Sequence, residues 1–135
     1  MGAHAMATFE IKSWDENPFS EVEGGQKLTR ASVMEVFHGD IEGEGIVEYL
    51  MAYQEGGSAT FVRMERIVGR LGDKSGSFVL EGSGSYDAAA GVAKGTWLIV
   101  PGSGTGALRG LKGEGGFSAT HEPPGHATLE YDIEK

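Results

Sequence analysis

Glycine is the residue that most constrains the fold of this chain. The sequence has 23 glycines, spread between segments rich in Val, Ile, Thr, Phe, Tyr and Trp, but only 4 prolines. No stretch keeps apolar residues at helical spacing for more than two turns. Glycine between β-branched and aromatic segments is typical of turns and bends that join strands. The sequence therefore predicts an all-β protein.

The segments between the glycines are close enough together to form antiparallel hairpins. We predict strands over Thr8–Trp14, Leu28–His38, Gly45–Gln54, Ala59–Arg70, Gly76–Tyr86, Val92–Val100, Thr105–Phe117 and Ala127–Ile133. A closed barrel of eight strands has an interior wide enough for side chains or one small ligand. Glycines let strands bend around such a small barrel. The predicted fold is a single antiparallel β-barrel of about eight strands.

The length of 135 residues is enough for one hydrophobic core. The opening residues 1–5 are similar to a cloning leader, because Met6 begins a second, more ordinary start. We therefore predict that one barrel domain spans residues 6–135.

The charge of the chain disfavours some partners. A net charge of -9 argues against nucleic acid and anionic membrane, because both demand a basic surface. The absence of cysteine excludes disulfides and thiolate metal sites. We expect a cytoplasmic protein without a cofactor.

Two glutamates in the segment from Gly45 to Gly69 raise a question about chemistry. A two-residue turn at Gly56-Gly57 would place Glu48 directly opposite Glu65. If that face lies inside the barrel, burial and repulsion raise one carboxyl pKa, and Arg63 balances the charge. This arrangement predicts acid-base chemistry by Glu48, Glu65 and Arg63. The alternative is that this face points to solvent, where both acids are ordinary.

The opposite face of the same hairpin is also apolar, and it offers a second candidate site. If it lies inside the barrel, its aromatic residues form a ligand pocket with one acidic anchor. The candidate ligand contacts are Tyr49, Met51, Tyr53, Glu81 and Trp97. The alternative is that these side chains serve only for packing. Because both faces are apolar, we also expect a second copy of the chain to cover the outer one.

Other motifs predict little chemistry. The glycine-rich run from Gly102 to Phe117 has no GK[ST] ending and no following helix, which argues against a phosphate-binding loop. His38, His121 and His126 lack the ligand spacing of a zinc motif, so no metal site is expected. The acidic "GDIEGEG" segment lacks the order of an EF-hand loop and is interpreted as a solvated strand edge.

Several short segments of the sequence resemble those of a known protein family. They include "SWDENPF", "KLTRASV", "GDIEGEG", "MERIVGRLGDKSGSFVLEGSG" and "VPGSGTGALRGLKGEGGF". Nearly the whole chain after Met6 resembles a bacterial family of domain-of-unknown-function proteins associated with the allene oxide cyclase-like barrel. The pattern from Gly104 to Gly110 is similar to one shared by allene oxide cyclases and dirigent proteins. The resemblance implies a barrel related to proteins that act on small apolar molecules, and no catalytic residue is carried over from the cyclases.

Together these observations favour a barrel that encloses a small, largely apolar molecule. Isomerase or cyclase activity through the paired glutamates is one expectation. A non-catalytic binding or carrier protein is the second, and a structural oligomer whose barrel is filled by side chains is the third.

Overall fold

The computed structural model describes residues 2–134, and these form one closed barrel of eight antiparallel strands. Each strand pairs with the next along the chain, and the first strand pairs with the last. The strands are β1 (Ala3–Ser20), β2 (Lys27–Gly39), β3 (Ile41–Tyr53), β4 (Ala59–Leu71), β5 (Lys74–Asp87), β6 (Val92–Ile99), β7 (Leu111–Ala119) and β8 (Gly125–Ile133). The predicted all-β barrel is confirmed.

The first strand is longer than the sequence indicated. It begins at Ala3 rather than near Thr8, and the pair Ala3 and Tyr131 joins it to β8. Ala5 is buried in the core. Residues 3–5, assigned above to a leader, therefore form part of the barrel wall. Whether they come from cloning stays a prediction.

Alternation of side chains along each strand builds the core. In β2, Ala31, Val33, Glu35 and Phe37 are buried, whereas the residues between them face outward. This period of two is what a strand with one covered face requires. The interior of the barrel is therefore the hydrophobic core.

Pairs of glycines allow the wall to curve. Gly84 on β5 lies opposite Gly95 on β6, and a Cβ built on Gly84 would lie 2.8 Å from Cζ of Phe61. A side chain there would collide with the core, so glycine permits the close approach of the two strands. At this position, glycine has the role expected from the sequence, because it allows the strands of the barrel to bend.

One end of the barrel, which we call the closed end, is filled with apolar side chains. It is formed by the β2–β3, β4–β5 and β6–β7 connections. The fully or almost fully buried residues towards this end are Ile41, Ile67, Leu71, Phe78, Leu108 and Leu111. Leu108 comes from a short 3-10 helix, Gly106–Leu108, in the β6–β7 connection. Our prediction of a strand from Thr105 was wrong here, because the chain turns inward and β7 begins only at Leu111.

The predicted register of the β3–β4 hairpin was also wrong, by one residue. Tyr53 pairs with Ala59, so residues 54–58 form the loop instead of a two-residue turn. Glu48 consequently lies opposite Met64, and Glu65 lies opposite Val47. Because side chains alternate, a shift of one residue exchanges the inner and outer faces of a strand. The two glutamates thus point to opposite sides of the wall.

Candidate functional site

The other end of the barrel, which we call the mouth, opens into a cavity of about 430 Å³. The β1–β2, β3–β4, β5–β6 and β7–β8 connections surround this end. Aromatic rings form most of the cavity wall: Trp14, Tyr49, Tyr53, Phe61, Tyr86 and Phe117. We call this space the mouth cavity. Its size and apolar lining are those of a small-molecule site.

The rings of the wall support one another. Tyr49 packs edge-on against Phe61 with ring centroids 5.2 Å apart, and Phe61 lies 6.0 Å from Phe117. Trp14 lies 5.5 Å from Tyr49 on the side nearer the solvent. Aromatic pairs at these separations stabilise each other beyond the area they bury. The wall of the mouth cavity is therefore preorganised.

Glu35 brings a carboxyl group to the lining of the mouth cavity. The residue is only 1% exposed, because the alternation of β2 places it on the inner face between Val33 and Phe37. Its Oε2 atom is buried and has no hydrogen-bond partner among residues 2–134. An unsatisfied buried acceptor costs about 1–3 kcal/mol, so this atom calls for a physical explanation.

Arg63 and Glu65 accompany Glu35 in the interior. The Nη2 atom of Arg63 donates a hydrogen bond to Oε1 of Glu65 and lies 3.7 Å from Oε1 of Glu35. Both β4 side chains are almost completely buried. We call Glu35, Arg63 and Glu65 the interior triad. One guanidinium thus faces two carboxyl groups.

Aromatic rings hold the guanidinium of Arg63 in place. Its Cζ atom lies 5.1 Å from the ring centroid of Tyr49, 5.2 Å from that of Trp97 and 4.7 Å from that of Phe117. Cation–π attraction is strongest where water is excluded, as it is here. The triad is therefore positioned by packing as well as by ion pairing.

Gly45 makes the meeting of the two acids possible. It lies on β3 directly opposite Glu35 of β2, between the strands that carry Glu35 and Glu65. A Cβ at this position would overlap with Oε2 of Glu65 and lie 3.0 Å from the Phe37 ring. The missing side chain leaves the space that the Glu65 carboxyl group occupies.

Burial raises the pKa of Glu65 well above its ordinary value, and the neighbouring Glu35 raises it further. Arg63 acts in the opposite direction but does not cancel this effect. A carboxyl group with a raised pKa holds its proton more readily at neutral pH. The pair of acids is therefore suited to share one proton.

A further acid, Glu16, lies at the entrance of the mouth cavity. Its carboxylate accepts hydrogen bonds from Tyr53 OH at 2.6 Å, Thr29 Oγ1 at 2.7 Å and Trp14 Nε1 at 2.9 Å. Partial burial opposes its ionisation, but these donors outweigh burial and lower the pKa of Glu16. Burial and the bond to Glu16 both raise the pKa of Tyr53, which therefore remains a donor. Glu16 is held as an anion.

The predicted site residues fall on both sides of the wall. Glu65, Arg63, Tyr49, Met51, Tyr53 and Trp97 face the interior. Glu48 and Glu81 face outward, and Glu48 bonds to Arg30 and Ser32 on the surface. The predicted pair of Glu48 with Glu65 is replaced by the pair of Glu35 with Glu65. The roles of the interior residues stay predictions.

Glu35, Glu16 and Trp14 are among the residues that the sequence analysis did not assign to this site. Glu35 had a readable signal, since it interrupts the apolar face Ala31, Val33 and Phe37 at a spacing of two. Glu16 and Trp14 had none, because an irregularity between Ile11 and Ser13 shifts the register of β1 before they are reached.

The outer wall carries a second, wider concavity of about 780 Å³. It includes Glu48, Glu81 and the half-exposed apolar residues Leu50, Met64 and Leu98. Its glutamates are exposed or partly exposed, unlike Glu35 and Glu65, and the buried Arg63 also borders it. We therefore place the candidate chemical site in the mouth cavity rather than in the outer concavity.

The structure also shows where His121 lies and whether acidic and histidine side chains cluster. His121 lines the entrance of the mouth cavity, where its Nε2 atom lies 3.3 Å from Tyr86 OH. Within residues 2–134, no group of three or more His, Asp or Glu side chains is arranged to hold a metal ion.

No helix in the described part of the chain has the length and apolar character needed to cross a membrane.

Comparison with known proteins places the chain in a family. A family model described as "Protein of unknown function (DUF3224)" matches residues 5–131. The chain belongs to the DUF3224 family. A crystal structure of a DUF3224 protein of unknown function from Shewanella oneidensis MR-1 is 26% identical to it, with a TM-score of 0.79 and complete coverage of both chains. No curated protein matches this DUF3224 chain. The resemblance to a bacterial family of unknown function is thereby confirmed.

Proposed function

We propose that this DUF3224 protein binds a small, largely apolar molecule in the mouth cavity. The observation that carries the proposal is that Glu35 lines an aromatic cavity while its buried Oε2 atom has no partner within residues 2–134. A ligand that donates a hydrogen bond to this atom would remove the cost of leaving it unsatisfied. The aromatic wall would bury the rest of the molecule.

The volume and the rigidity of the site support this proposal. A space of about 430 Å³ lies within the range of drug-sized pockets. The packed rings need little reordering when a ligand enters, which lowers the entropic cost of binding. The closed end provides the opposite wall, so a ligand has one route in and out.

A second candidate function is acid-base isomerisation, supported by the pairing of Glu35 with Glu65. In this reaction the Glu35 carboxylate takes a proton from an acidic carbon of the ligand and returns it to another carbon, so atoms and charge balance. Glu65 and Arg63 are then positioning residues, because they hold the charge and the proton of the pair. Glu48 has no part in this version of the predicted chemistry.

The binding proposal is tested with a neutral fluorescent probe, N-phenyl-1-naphthylamine. Wild-type protein is expected to enhance its fluorescence, whereas Ala93→Trp fills the mouth cavity and is expected to abolish the signal. Val68→Trp is the matched control, since Val68 is 58% exposed on the outer wall. Equal signals from the two variants would contradict binding in the cavity.

Binding and catalysis are separated by deuterium exchange. Native mass spectrometry of protein purified from its own host identifies the bound molecule, which is then incubated in D₂O with protein. An isomerase incorporates deuterium into the molecule and loses this activity in Glu35→Gln. A carrier binds it without exchange, and that result would contradict the isomerase.

A second copy of the chain is our proposed occupant of the outer concavity. Leu50, Val62, Met64 and Leu98 are each about half exposed there. Arg30 lies beside Leu50 at the β2 edge of these residues, and Glu114 lies beside Leu98 at the β7 edge. Two copies related by a two-fold axis would bring the basic side of one against the acidic side of the other.

A further inference from the structure

The ionisable side chains around the mouth cavity are mainly acidic. Glu16 and Glu35 line it, and His121 is at its entrance. No Lys or Arg belongs to the lining in the described part of the chain. Two nearby cations lie outside the lining: Arg63 is bonded to Glu65, and Lys27 is stacked on the Tyr53 ring at 4.9 Å. The lining itself therefore contains two carboxyl groups and no side chain with a permanent positive charge within the described residues.

Glu35 is the carboxyl group of the cavity lining with unused bonding capacity. Glu16 has three donors of its own. Glu65 has the hydrogen bond from Arg63 on one oxygen, and although its other oxygen has no partner within residues 2–134, Glu65 is not part of the lining. Glu35 has only the guanidinium at 3.7 Å, and its second oxygen has no partner among residues 2–134. A buried carboxylate in this condition attracts a cation more strongly than a surface carboxylate, because water does not screen it.

The rings of the wall suit the same kind of ligand. The face of an aromatic ring is negative, and Trp offers the strongest attraction for a cation. The rings that stack on the Arg63 guanidinium are those of Tyr49, Trp97 and Phe117. Trp14 and Phe61 also line the mouth cavity and are not among them. The interior already holds one cation, Arg63, against rings in this way. A second cation in the cavity would meet aromatic faces and the Glu35 carboxylate together.

We infer that the ligand of the mouth cavity is a hydrophobic organic cation, a protonated amine or a quaternary ammonium, whose charged head lies against Glu35. The inference rests on the proposed function and specifies the class of its ligand. The charged head would lie against the unpartnered oxygen of Glu35, and the apolar body would lie along the aromatic wall. A head group with an N–H bond would also donate to Oε2 of Glu35.

Two probes of the same shape test the inference. Benzyltrimethylammonium carries a positive charge, and neopentylbenzene is its neutral carbon isostere. Their affinities for wild-type protein are measured by quenching of tryptophan fluorescence and checked by NMR titration. We expect the cation to bind at least about tenfold more tightly than the neutral isostere, as desolvated cation–π and ion-pair contacts allow.

Two variants locate the source of the preference. Glu35→Gln is expected to remove most of the tenfold difference while keeping the affinity for neopentylbenzene. Glu48→Gln removes the same charge from the outer wall and is expected to keep the difference. Circular dichroism and a thermal melt confirm that each variant is folded. The comparison of the two probes on wild-type protein stands even if Glu35→Gln fails to fold.

The outcomes distinguish this inference from the proposed function. Equal affinities for the two probes would overturn the cationic ligand but leave the apolar binding site intact. Binding of neither probe, together with no response to N-phenyl-1-naphthylamine, would overturn both. A preference for the cation that survives Glu35→Gln in a folded variant would also overturn the assignment to Glu35.

Discussion

The two ends of the barrel differ in what fills them. At the closed end, residues such as Phe78, Leu71 and Leu108 leave no more than 1% of their surface exposed. At the mouth, larger aromatic residues surround an open cavity instead of filling it. Both ends are apolar, but the lining of the mouth cavity includes Glu35, whose buried Oε2 atom has no partner within residues 2–134. We infer from this contrast that the closed end serves stability, whereas the mouth tolerates an energetic cost that a ligand would offset.

The largest expected effect compares two aromatic residues on β5. Phe78→Ala empties space at the closed end and should lower the free energy of unfolding by about 3–5 kcal/mol. Tyr86→Ala, at the half-buried entrance of the mouth cavity, should cost clearly less, about 1–2 kcal/mol. Urea unfolding of both variants measures the difference. Equal losses would show that the mouth is packed as tightly as the closed end.

The second prediction concerns the glycine beside the interior triad. Gly45→Ala places a methyl group where the Glu65 carboxyl group lies, and it should destabilise the protein by about 1–3 kcal/mol. The double variant with Glu65→Ala provides the control, because removal of the carboxyl group makes room for the methyl group. Its loss should be smaller than the sum of the two single losses. Additive losses would contradict the proposed contact.

The third prediction concerns the effect of pH on stability. The pKa of Glu65 is raised in the folded state, so the folded protein binds more protons than the unfolded chain above the ordinary value of 4.5. Stability is therefore expected to fall as pH rises from about 5 towards the raised pKa, by about 1.4 kcal/mol for each unit of pKa increase.

Replacement of Glu65 tests this assignment. Glu65→Gln should flatten the fall in unfolding free energy between about pH 5 and 8, whereas Glu48→Gln should keep it. Glu48 is a suitable control because hydrogen bonds from Arg30 and Ser32 lower its pKa, so it is ionised throughout this range. An unchanged slope in Glu65→Gln would assign the pH dependence to another group.

The smallest effect on stability is expected on the outer wall. Val62→Glu should change the free energy of unfolding by less than about 0.5 kcal/mol, because the side chain is 54% exposed. It should nevertheless dissociate the proposed dimer, as measured by light scattering during size-exclusion chromatography. Val68→Glu is the control on the same strand, outside the outer concavity. A monomeric wild-type protein would contradict the dimer and leave the two ends of the barrel unaffected.

Some parts of the site could be predicted from particular residues, and others could not. Tyr49, Met51 and Tyr53 were recognised as one apolar face, and Arg63 and Glu65 as members of another, because alternation is local. It was not predicted that these two sets of residues share the interior face, because that depends on a hairpin loop that spans residues 54–58. The same alternation along β2 would have predicted that Glu35 is interior. It could not predict the positions of Trp14 and Glu16, because the register shift in β1 has no local sequence signal.

The class of fold followed from the sequence, because apolar alternation and dispersed glycines are local properties and favour a small closed barrel. Which acids meet depends on the assembled barrel. Glu35 and Glu65 are on strands separated by β3, and they come together because Gly45 leaves space between them and because the hairpin loop sets which face is inside. Register and closure are properties of several strands at once, so a pattern within one strand does not contain them.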